Sequence, residues 1–133
     1  MVQRQFPFAP GEFYHLYNRG NSKQTIFLDP ADYQRFLALL HLANGSETVR
    51  IDNIRQQKIN PFTVELPDRL VAIGAYCLMP NHYHLLVTPL TEDGISRFMK
   101  KLGTGYSMYF NKRHERTGSL FEGKFKAKWV DSD

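Results

Sequence analysis

Residues 69–88 read Arg-Leu-Val-Ala-Ile-Gly-Ala-Tyr-Cys-Leu-Met-Pro-Asn-His-Tyr-His-Leu-Leu-Val-Thr, and this stretch decides the fold. Arg69 to Leu78 is a strand-like apolar run, Met79-Pro80-Asn81 is a turn, and His82 to Thr88 is a second strand. Strands joined so tightly pair as an antiparallel hairpin. Upstream, Gly11 to Arg19 is aromatic-rich and flanked by Pro10 and Gly20, which predicts another strand. Asp29-Pro30-Ala31-Asp32 predicts a helix start, with Asp29 as N-cap and Pro30 at the first helical position. Tyr33, Phe36, Leu37 and Leu40 then share a face until Asn44-Gly45 stops the helix. Residues 46–69 are polar, with Pro61 and Pro67, and read as a connection carrying a short helix around Ile51–Gln57. Downstream, Asp93-Gly94 opens a second helix on which Ile95, Phe98, Met99, Leu102, Tyr106 and Tyr109 keep helical spacing. Gly103 and Gly105 each weaken that helix by about 1 kcal/mol and predict a kink. Phe121 to Val130 alternates and predicts the last strand. The order strand, helix, strand, strand, helix, strand is that of an α+β ferredoxin-like sandwich, an antiparallel sheet with helices on one face.

The 133 residues suit one domain, 1–133, and 42% hydrophobic with 23% charged is the composition of a folded globular chain. No apolar run approaches the ~18–20 residues of a membrane span, and the N-terminus lacks the apolar core of a secretory signal. A lone Cys77 makes no intramolecular disulfide, so a reducing, cytosolic setting is the expectation. Cys77 itself reads as a small buried residue on a central strand. The net charge of +4 is unevenly spread: residues 97–128 hold nine Lys/Arg against two Asp/Glu, among Tyr106, Tyr109, Phe110, Phe121 and Phe125. Cations that meet phosphates and rings that stack on unpaired bases suit a nucleic-acid strand. The alternative is a solvated helix face followed by a basic edge strand.

His82-Tyr83-His84 carries the chemistry. Residues two apart on a strand point to one face, so both imidazoles project together while Tyr83 turns away. Two neighbouring imidazoles can share a divalent cation that polarises a phosphoryl group. The alternative is a polar strand face on which two histidines fall by chance. His15 reads as a hydrogen-bonded strand histidine that also has the metal or a base within its possible reach. His41 and His114 read as structural or phosphate-facing, and Asn81 as a turn residue tolerant of left-handed backbone. Candidate phosphate contacts are Arg19, Lys23, Arg97, Lys100, Lys101, Lys112, Arg113, Arg116, Lys124 and Lys126.

The block Tyr76 to Val87 resembles the signature of the REP-associated tyrosine transposases, in the single-tyrosine branch of the HUH endonucleases. Tyr14-His15-Leu16-Tyr17-Asn18-Arg19-Gly20 resembles that family's first strand, and Gly94 to Met99 the start of its second helix. Tyr109 to Arg113 and Thr117 to Phe125 resemble the basic segment leading into its last strand. The resemblance implies cleavage and rejoining of single-stranded or hairpin DNA through a 5′-phosphotyrosine intermediate. It implies Mg²⁺ or Mn²⁺ held by His82 and His84, and a bacterial, nucleoid-associated protein acting as a monomer or homodimer. In that family the nucleophilic tyrosine follows the last strand, in a Tyr-Ile-His-x-Asn-Pro-like stretch. The expectation is therefore a nucleophile beyond Asp133, with Tyr109 and Tyr106 as weaker substitutes. A hairpin-binding protein without cleavage is the alternative.

Overall fold

The computed structural model describes residues 7–131. Two expectations, for the first residues of the chain and for the start of a further helix at its last residues, lie outside the described residues. Four strands, β1 (Phe13–Arg19), β2 (Val71–Met79), β3 (His82–Pro89) and β4 (Lys126–Val130), form one antiparallel sheet in the order β2-β3-β1-β4. Helices α1 (Pro30–Leu42) and α3 (Gly94–Arg113) cover one face, and the short α2 (Ile51–Gln56) lies in the 46–69 connection. This is the α+β ferredoxin-like arrangement that the order of elements implied.

Alternation along the strands sorts their side chains. Tyr14 and Leu16 of β1 and Tyr83, Leu85 and Val87 of β3 face the helices. They pack with Phe36 and Leu40 of α1 and with Ile95, Phe98, Leu102 and Tyr106 of α3. Burying each of these side chains contributes roughly 1.5–3 kcal/mol. A smaller cluster of Ala38, Leu42, Ile51 and Ile54 fastens α2 to the back of α1. Asn44, read as a helix stop, does more: its Oδ1 accepts the Leu70 and Val71 N–H groups and its Nδ2 donates to Val71 O. That buried amide ties the end of α1 to the start of β2.

Three local expectations are corrected. α3 runs unbroken through Gly103 and Gly105, because packing of Leu102, Tyr106 and Phe110 outweighs the glycine propensity cost. The last strand begins at Lys126 and not at Phe121, since Gly123 takes φ 70° and turns the chain. Cys77 is exposed on β2, which the sheet order puts at an edge and not in the centre.

Candidate functional site

Among the described residues, the face of the sheet away from the helices carries no layer of its own. Register places Cys77, His84, Tyr17 and Lys126 in one row across the four strands. Met79, His82 and Arg19 form the row on one side of it; Leu86, His15 and Lys128 form the row on the other. His82 and His84 therefore point the same way, with ring centroids 5.0 Å apart and planes at 86°. Both are half-buried, while Tyr83 between them is buried against the helices.

The turn that presents the pair is held from behind. Pro80 O accepts the Ile26 and Phe27 N–H groups at 2.8 and 3.1 Å, and Asn81 O accepts Gly20 N–H at 2.9 Å. Gly20 is required there: a Cβ would stand 2.1 Å from Gln24 O. Asn81 lies in the turn, as expected, without using left-handed backbone. Its side chain acts instead, with Oδ1 2.7 Å from His82 Nδ1. An amide oxygen only accepts, so His82 Nδ1 donates to it, which in the neutral ring leaves the lone pair on Nε2. On the neighbouring strand, His15 Nε2 lies 2.7 Å from His84 Nδ1, with the rings stacked at 4.9 Å. Burial, then the charges of its neighbours, lowers the pKa of both histidines below the ordinary imidazole value: Lys128 acts on His15, and His15 and His82 act on His84. Both are neutral at neutral pH, the form that binds cations.

The same face adds an aromatic and two cations. Tyr17 lies 4.9 Å from His15 and 5.9 Å from His84, ring to ring, and Lys128 Nζ stands 5.9 Å over its centroid. Tyr17 and Lys128 escaped sequence reasoning, although alternation from His15 to Arg19 and from Lys126 to Val130 puts them on the histidine face.

The predicted phosphate contacts do not form one strip. Lys126 is exposed on the open face, and Arg19 at its rim is paired with Glu122, which draws the Glu122 carboxyl below its ordinary range. Arg97, Lys100 and Lys101 sit on the first turns of α3, in the helix layer across the sheet. There Arg97 donates to Ser46 O and Lys101 to Gly45 O and Glu47 O. Lys112 is exposed near the end of α3, and Arg116 is bonded to Asn111 and Ser119 O. Lys124 is exposed in the segment before β4.

Arg113 is committed elsewhere. It chelates Asp29 with both Nη atoms at 2.6 Å and reaches Asp32 Oδ1 at 2.7 Å. Asp32 is fully buried and also accepts from Tyr109 Oη at 2.8 Å, Leu28 N–H at 2.9 Å and the His114 ring. Burial raises the Asp32 pKa, but these donors outweigh it and the carboxyl stays below its ordinary value. Arg113 holds Asp29 at about 2. His41 likewise has a structural partner, Val64 O.

The two substitute nucleophiles are corrected by this geometry. Tyr106 is fully buried among the helices with its hydroxyl donating to Ile26 O, and burial raises its pKa. Tyr109 donates to Asp32 beneath the Arg35 guanidinium, and burial followed by Asp32 raises its pKa too. Both lie across the sheet from the histidine pair.

The two imidazoles suit a divalent cation by donor chemistry, each with its Nδ1 engaged and its Nε2 as the candidate donor. Among the described residues no group of three or more His, Cys, Asp or Glu is placed to hold a metal.

The fold is one found in transposases. The chain is similar to a REP-associated tyrosine transposase solved bound to a REP hairpin, with a TM-score of 0.59 and 14% identity over all of this chain and 64% of that one. It is also similar to a protein of Deinococcus radiodurans R1 assigned as a transposase, with a TM-score of 0.55 and 16% identity over 98% of this chain and 88% of that one. The chain thus spans under two thirds of the hairpin-bound relative. Comparison with curated proteins gives no match. The IS200-like transposase family model matches residues 42–133, and the chain belongs to that family.

Proposed function

We propose that this chain binds single-stranded or hairpin DNA on the open face of its sheet and there supplies the cation-holding part of a strand-cleaving transposase site. The observation that carries the reading is the pair His82 and His84, side by side on an uncovered face with their Nδ1 atoms already engaged. A Mg²⁺ or Mn²⁺ ion bound there would neutralise and polarise a scissile phosphate. Lys126 and Lys128 lie on the same face and attract the flanking phosphates. Tyr17, flanked by His15 and Lys128, offers its ring to an unpaired base. The attacking hydroxyl must reach the open face, which neither Tyr106 nor Tyr109 does.

That last observation also favours a second reading, in which residues 7–131 hold a hairpin without cutting it. End-labelled hairpin DNA incubated with the chain and Mn²⁺ separates the two. A covalent protein–DNA band that is lost in His82→Ala supports cleavage. Retention of DNA in a salt-sensitive complex, with no band, supports holding alone. No preference for single strands or hairpins over blunt duplex contradicts both.

A further inference from the structure

We infer that His15 is a positioning residue for His84: it accepts the Nδ1–H of His84 and so keeps the Nε2 lone pair of His84 facing the cation. This inference rests on the histidine-pair reading of the open face. A neutral imidazole carries one proton on one of two nitrogens, and a cation needs the nitrogen that lacks it. His82 has its choice made by Asn81, whose oxygen takes the Nδ1–H at 2.7 Å. Among the described residues, the Nδ1 of His84 meets no amide but His15 Nε2, also at 2.7 Å, one strand away and one row along.

The contact has two possible polarities. If His15 donates, His84 keeps its proton on Nε2 and presents N–H to the cation. If His84 donates, Nε2 is bare and matches that of His82. Only the second polarity yields two lone pairs on one face, so binding of a cation selects it and His15 stabilises it. His15 is not itself a ligand in this arrangement, because the nitrogen it directs at the pair is spent on His84. Its ring is held in place by Tyr17 at 4.9 Å and by its strand position between buried Tyr14 and Leu16. Partners of this kind, one step behind a ligand, change metal affinity by about 10–100-fold when removed.

The test uses the ¹⁵N-labelled chain, parent beside His15→Ala, His15→Gln and His82→Ala. Glutamine offers an amide oxygen, the acceptor that already serves His82. Long-range ¹H–¹⁵N spectra of the imidazoles, taken above the ordinary imidazole pKa of about 6.5, read the tautomer without any metal. Titration with Mn²⁺ alone reads affinity. The expected result is His84 protonated on Nδ1 in the parent, shifting toward Nε2–H in His15→Ala and restored in His15→Gln. Mn²⁺ affinity should fall about 10–100-fold in His15→Ala and recover most of that in His15→Gln. An unchanged His84 tautomer, or equal Mn²⁺ affinity in parent and His15→Ala, overturns the role of His15 while leaving the pair intact. A parent that binds no more Mn²⁺ than His82→Ala overturns the histidine-pair reading, and this inference with it.

Discussion

Two polar clusters sit on opposite sides of one sheet, and they are built to opposite ends. Behind the sheet, Asp32 is fully buried and receives Tyr109, Arg113, His114 and a backbone N–H, while Asp29 takes the remaining guanidinium donors. Charge there meets countercharge, and α1 is fastened to α3. In front of the sheet, half-buried His82 and His84 each engage Nδ1, beside Lys126, Lys128 and the Tyr17 ring. Among the described residues the register rows of Lys126 and Lys128 hold no carboxylate, although Lys126 acts on Glu122 and, after Arg19, helps to lower its pKa. A closed network stabilises the fold, whereas a half-satisfied one on an uncovered face is available to a ligand. Sequence alone gave both clusters the same look, histidines and arginines among tyrosines.

The comparison breaks most sharply at Asp32. Asp32→Ala removes the buried acceptor and strands Arg113, Tyr109 and His114, at a cost of about 3 kcal/mol, the low end for a broken buried pair because Arg113 is partly exposed. Urea unfolding reads this. The matching change in front, His84→Ala, should stay within about 1 kcal/mol, as expected of a half-exposed strand position. Equal losses would mean that the histidine face is structural too.

Next in size is the charge effect. Lys126→Glu with Lys128→Glu should weaken single-strand binding at least about tenfold and lower the salt slope by about 1.4, for two phosphates at about 0.7 each. Lys101→Glu, across the sheet and bound to the 45–47 backbone, should leave the slope nearly unchanged. Salt titrations of a fluorescent oligonucleotide decide this, and the reverse ranking would move the DNA to the helix side. A smaller loss, about 1 kcal/mol of binding, is expected for Tyr17→Ala as a lost stacking surface, with Tyr17→Phe near parent.

The smallest effect is in acid. Asp29 and Asp32 have depressed pKa values when folded, so their contribution is full above the unfolded carboxylate pKa of about 3.9 and is lost as pH falls toward the folded values, about 2 for Asp29. Asp29→Asn keeps an N-cap but loses the ion pair with Arg113. Its unfolding midpoint should lie slightly below the parent at pH 7 and converge with it near pH 2. A difference that is constant with pH would show that Asp29 acts only as a cap.

Much of this was legible in the residues. Strand alternation at His82-Tyr83-His84 gave the shared face, and Asp29-Pro30 gave the helix cap that the structure contains. Strand order is a long-range property, which is why Cys77 was assigned to a central strand and lies on an edge. The charge excess of 97–128 looked continuous because sequence cannot tell that α3 and β4 lie in different layers. Arg113 looked like a phosphate contact because its partners, Asp29 and Asp32, are 84 and 81 residues away. His15 was read as hydrogen-bonded, but its partner could be identified only once β1 was paired with β3.

The most direct test of the account is where Mn²⁺ binds. Substoichiometric Mn²⁺ added to the labelled chain broadens the resonances nearest the ion. The account predicts early loss of the His82, His84 and Tyr17 signals, with those of Asp29, Asp32 and Tyr109 intact, and no selective loss in His82→Ala. Broadening that begins at the Asp29–Asp32 cluster, or that is the same in parent and His82→Ala, would contradict it.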